Sequence, residues 1–112
     1  MAYMLLILEG HDDRKKRGRD EGRVAYDSMM RFAGDLSARG LLKGANALRS
    51  DAQGVRVAVR DGRQSIVDGP FAESKEMVGG FFLLDCATRE EAIAIAQACP
   101  AAKWATVEVR EV

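Results

Sequence analysis

Asp68-Gly69-Pro70-Phe71-Ala72-Glu73-Ser74-Lys75-Glu76-Met77-Val78-Gly79-Gly80 runs directly into Phe81-Phe82-Leu83-Leu84, a strongly apolar run of a 112-residue chain. The first part is a turn: Gly69 is free to take a positive backbone angle, and Pro70 fixes its own angle and has no amide to donate. Phe71 gives the turn an apolar anchor. Met77 to Asp85 is apolar on both faces, which predicts a central strand. A turn joined to a core strand holds polar groups at a strand end, where sites are commonly built.

Upstream, Val55, Val57 and Val59 alternate with Arg56, Ala58 and Arg60, the period of a strand with one apolar face. Asp61-Gly62 is a two-residue hairpin signal, so Arg63 to Val67 returns antiparallel. Leu41 to Leu48 is a further strand weakened by Gly44, followed by a loop at Ser50-Asp51-Ala52-Gln53-Gly54. Before it, Tyr26, Met29, Met30, Phe32, Ala33 and Leu36 form one stripe of a helix over Arg23 to Arg39, stopped by Gly40. Core packing is the commoner reason for such a stripe; lining a ligand pocket is the alternative. Residues 2 to 8 read as a strand apolar on both faces. Glu9 to Gly22 reads as a solvated, mobile loop; its basic run, Arg14-Lys15-Lys16-Arg17-Gly18-Arg19, has a phosphate-binding patch as its alternative reading, but Asp12, Asp13, Asp20 and Glu21 nearly cancel its charge.

Downstream, Thr88-Arg89-Glu90-Glu91 is a capping box, with reciprocal bonds expected between the Thr88 and Glu91 side chains and each other's amides. It opens a helix with Ala92, Ile95, Ala96 and Cys99 inward, ended by Pro100. Trp104 to Val112 is a last strand.

The resulting plan is α+β: a ferredoxin-like split βαβ with an antiparallel sheet and an extra hairpin inserted after the second strand, in one domain spanning residues 1–112. Two helices cover one sheet face. The other face is apolar too, which predicts a homodimer packed sheet against sheet. A pocket roofed by the hairpin and the Asp68 turn would follow.

Seventeen basic residues balance seventeen acidic ones, so no overall charge draws the chain to nucleic acid or anionic lipid. The apolar start lacks a basic leader and is too short for a membrane helix, so the cytoplasm is the expected compartment. Cys86 and Cys99 read as reduced core thiols, and no cofactor fingerprint or metal set is present.

The segment from Asp68 to Glu76, followed by Gly79-Gly80-Phe81, resembles the signature of the DGPF branch of the YCII-related proteins. Tyr3 to Ile7, Arg39-Gly40-Leu41, Val55-Arg56-Val57 with Asp61-Gly62, and Val107 to Arg110 are similar to that family as well. The resemblance implies a small bacterial protein with the dimeric α+β barrel fold and a largely unassigned role. It also implies a link to extracytoplasmic-function sigma factors, or an enzyme by likeness to muconolactone isomerases. The wider YCII group carries a His and Asp pair as its active site. Asp68 matches the motif's Asp, and the only histidine, His11, precedes the first helix.

Asp68 is therefore the candidate acid or base, with Glu73, Lys75 and Glu76 beside it; the competing reading is that Asp68 only holds the turn through backbone amides. Gly69, Pro70 and Phe71 shape the candidate site. Arg56 is a candidate for an anionic ligand or for Asp68 itself, or else makes a surface ion pair. His11 and Tyr26 complete the candidates, and Gly79-Gly80 reads as close strand packing. Two functions remain open: a dimeric binder of, or enzyme for, a small anionic or enol-type metabolite, and an interaction module acting on a transcription factor.

Overall fold

The computed structural model describes residues 1–112. Six strands and three helices follow in order: β1 (Ala2–Gly10), α1 (Asp13–Lys16), α2 (Arg19–Ala38), β2 (Leu42–Ala47), β3 (Val55–Arg60), β4 (Arg63–Asp68), β5 (Glu76–Asp85), α3 (Arg89–Ala98) and β6 (Thr106–Glu111). Short 3-10 turns at Asp51–Gln53 and Pro100–Lys103 fill the connections. β2, β5, β1 and β6 form one antiparallel sheet in that order, consistent with a ferredoxin-like fold; β3 and β4 form a separate two-stranded sheet.

Apolar residues on both faces put β1 and β5 in the middle, where no edge is left unpaired. Tyr3, Leu5 and Ile7 of β1 face the helices together with Phe82 and Leu84 of β5, and close a core with Leu36 of α2 and Ala92, Ile95 and Ala96 of α3. Leu5, Leu36 and Leu84 are fully buried, each contributing about 1.5–3 kcal/mol relative to exposure.

The turn chemistry follows the residues. Gly40 ends α2 at φ 72°, with Leu41 donating to the Leu36 carbonyl and Gly40 to that of Ser37. Asp61 and Gly62 both take positive φ, the geometry of a two-residue hairpin matched to strand twist. At α3 the Thr88 hydroxyl accepts from the Glu91 amide as expected, but the Glu91 carboxylate takes the amide of Ala87 rather than that of Thr88.

The largest departure lies in residues 9 to 22. This segment is not a loop: α1 occupies part of it, and α2 begins at Arg19, four residues before the start at Arg23 that the periodicity predicts. Its first turn carries Asp20 and Glu21, which suit a helix N-terminus without adding to an apolar face. No helix is long and apolar enough to cross a membrane.

Candidate functional site

β1 alternates strictly, so the phase that buries Tyr3, Leu5 and Ile7 also points Glu9 inward, where it is 4% exposed. A buried carboxylate must be paired. Arg14 Nε donates to Glu9 Oε1 at 2.6 Å, and Arg17 Nη2 reaches Oε2 at 3.4 Å. Arg14 also donates through Nη2 to the Gly79 carbonyl at 3.1 Å. The basic run is thus split by the single turn of α1: two of its arginines turn inward, while Lys15 and Lys16 stay exposed.

β5 makes room for this ion pair. Gly80 pairs with Ile7 and Val78 with Leu8, leaving Gly79 as the extra residue of a bulge. A Cβ at Gly79 would strike Glu9 Oε1, and one at Gly80 would come within 2.8 Å of the Asn46 carbonyl oxygen. Both glycines are required by close approach, and for Gly79 the approaching group is the buried carboxylate itself.

The ion pair forms the polar end of a cavity of about 320 Å³ between α2 and the sheet. Its walls are mainly apolar, with Met29, Met30 and Ala33 from α2, Phe82 from β5, and Trp104. Arg17 lies over the Trp104 ring, 5.9 Å from its centroid. Tyr26 stands at the rim, 60% exposed. The helical stripe therefore divides, with Leu36 in the core and Met29 packed against the core while also lining the cavity.

The Asp68 turn is built differently, and none of residues 68 to 75 lines this cavity. Gly69 donates to the Gly54 carbonyl at 2.8 Å, and a Cβ on Gly69 would run into the Asp51 carbonyl oxygen. Gly69 is needed for that approach and not for a left-handed backbone: the positive angles are at Gly40, Asp61 and Gly62. The Gly69–Pro70 peptide is cis. Phe71 is buried, with the Arg56 guanidinium stacked 3.8 Å from its ring centroid. Arg56 reaches Glu73 at 3.3 Å and the Ser74 hydroxyl at 3.4 Å, not Asp68. The carboxylate of Asp68 is exposed and has neither hydrogen-bond nor ion-pair partner, and Lys75 is likewise exposed. Backbone bonds and His11, rather than Asp68, tie the turn down.

His11 Nε2 lies 2.5 Å from the Ser74 carbonyl oxygen, so Nε2 must carry the proton. Nδ1 stands 2.9 Å from Asp51 Oδ2 in a close charge pair that falls short of an aligned hydrogen bond. The Asp51 carboxylate, followed by the Ser74 carbonyl, raises the His11 pKa above its ordinary value against the opposing effect of desolvation. A second groove nearby, more open and more polar, is bordered by Asp51, Arg56, Phe71 and Met77.

The YCII-related domain model matches residues 1–112. The chain belongs to the YCII-related family. It is similar to an uncharacterised protein of Rhizobium meliloti (strain 1021), 50% identical over 36 residues, which span 32% of this chain and 29% of that protein. In this YCII-related chain the histidine and aspartate brought together are His11 and Asp51, and both ring nitrogens of His11 face acceptors. Nothing in the sequence marks Asp51, because a loop Ser-Asp-Ala has the signature of a turn whatever it contacts. Glu9, Arg14 and Arg17 are masked because polarity at Glu9 signals the end of a strand, although Glu9 keeps the strand's buried phase.

Proposed function

We propose that this YCII-related protein is a homodimeric binder of a small metabolite that has an apolar body and one anionic group. The observation that carries this reading is the cavity behind α2, whose volume suits a small ligand and whose one polar end is the Glu9–Arg14–Arg17 cluster. Binding is favoured over acid–base chemistry at His11, since a ring engaged at both nitrogens has no free lone pair to take a substrate proton.

Shape supports the dimer. The fold is a slab of 46 × 36 × 18 Å, one sheet and one helix layer thick, so Met4, Leu6, Phe81 and Leu83 lie on a sheet face with no layer over it. Its accessible surface is 7653 Å², against about 6,100 Å² for a compact monomer of this mass. The excess exceeds the ~800 Å² per partner of a standard interface. The β3–β4 hairpin adds to it, with Val57 61% and Ile66 64% exposed on one side. The same hairpin favours a second reading, a regulatory module docking a transcription-factor partner such as a sigma factor.

Native mass spectrometry of protein purified gently from cells tests both parts. A mass of two 12.2 kDa chains plus a small molecule released on denaturation is expected. A bare monomer that gains mass only with a protein partner would favour the regulatory reading.

A further inference from the structure

We infer that Arg17 is the residue that reads the ligand's anionic group, and that the group is a monocarboxylate. This rests on the cavity being the binding site, as proposed above. Three charged residues line the cavity, Glu9, Arg14 and Arg17, so one positive charge is unmatched there. The two arginines are not equivalent. Arg14 spends Nε on Glu9 at 2.6 Å and Nη2 on the Gly79 carbonyl at 3.1 Å, and is fixed by the bulge of β5. Arg17 has one long contact to Glu9, at 3.4 Å, which leaves most of its donors uncommitted.

Arg17 is also the better placed of the two. A solute can reach both side chains, 32% exposed for Arg14 and 23% for Arg17, but only Arg17 lies over Trp104, which supplies a flat apolar wall. A carboxylate meets the guanidinium fork in a bidentate pair while the body of the ligand lies against Met29, Phe82 and Trp104. A phosphomonoester brings about two negative charges at neutral pH to a site with one to spare, and its second charge would face Glu9. Glu9 in this arrangement limits the charge that the cavity accepts.

Trp104 is the only tryptophan, so its emission reports on the cavity. Benzoate, benzamide and phenyl phosphate are matched probes, differing in charge on a common ring. The wild-type protein is expected to bind benzoate at least tenfold more tightly than either of the others. Arg17→Met is expected to remove that preference, bringing benzoate and benzamide to similar affinities; Arg17→Lys is expected to retain part of it. Glu9→Gln, which frees Arg17, is expected to tighten benzoate and relieve the discrimination against phenyl phosphate. Equal affinity of the wild type for benzoate and benzamide, or a preference for benzoate that survives in Arg17→Met, overturns the assignment of Arg17 while the cavity stands as a site. Trp104 emission indifferent to all three probes overturns the cavity as well. The wild-type comparison needs no variant to fold.

Discussion

His11 Nδ1 lies 2.9 Å from Asp51 Oδ2 while Nε2 of the same ring faces the Ser74 carbonyl, so one imidazole joins the end of β1 to both turns that flank the hairpin. Two acceptors on one ring favour the imidazolium, and the His11 pKa is raised accordingly. The folded state thus holds this proton more tightly than the unfolded chain. The contribution to stability is full below the unfolded value of ~6.5 and is lost as pH rises through the higher folded value. Thermal midpoints measured from pH 6 to pH 9 are expected to decline across that window, and His11→Gln is expected to flatten the decline. An unchanged slope in the variant assigns the titration to another group.

Glycine substitutions separate close approach from backbone freedom. Gly69→Ala sets a Cβ against the Asp51 carbonyl and Gly79→Ala sets one against the Glu9 carboxylate, so each is expected to cost about 1–3 kcal/mol. Gly34 lies within α2 with open space around its Cα, and Gly34→Ala is expected to stabilise by about 0.5–1 kcal/mol. Urea denaturation of the three variants checks both signs.

Removing Glu9 leaves Arg14 without its anionic partner. Glu9→Ala is expected to destabilise by about 2 kcal/mol, below the usual figure for a fully buried pair because the Arg14 side chain is a third exposed. Pairing it with Arg14→Met in a double-mutant cycle is expected to recover part of the loss. Strict additivity of the two would show the pair to be uncoupled.

Cys86 and Cys99 are both buried, and burial pushes both thiols up from their ordinary values. The thiolate is the reactive form. Modification by a disulfide reagent at neutral pH is expected to be slow in the folded protein and fast in denaturant. Rapid labelling of the folded state would show that one of the sites opens.

Much of the sheet was legible, because continuous apolar runs at Tyr3 to Leu8 and Met77 to Leu84 leave little choice but central strands. The hairpin was legible from Asp61-Gly62 and the capping of α3 from Thr88 and Glu91. The cavity was not. Its charged end depends on Glu9 keeping β1's inward phase past the point where polarity suggested the strand had ended, and on a one-turn helix rotating Arg14 and Arg17 toward it. The His11–Asp51 contact joins residues forty positions apart in two polar segments, where no period carries the information. The Asp68 motif, the most conspicuous feature of the sequence, specifies how a turn docks through Gly69 and Phe71; its carboxylate stands in solvent.

A crystal structure of protein taken directly from cells tests the central claim most directly. The account predicts density for a small molecule behind α2, with an anionic group against Arg17 and its body beside Met29 and Trp104. A cavity closed by its own side chains, with Arg17 drawn fully onto Glu9 and Met30 and Tyr26 folded inward, would contradict it.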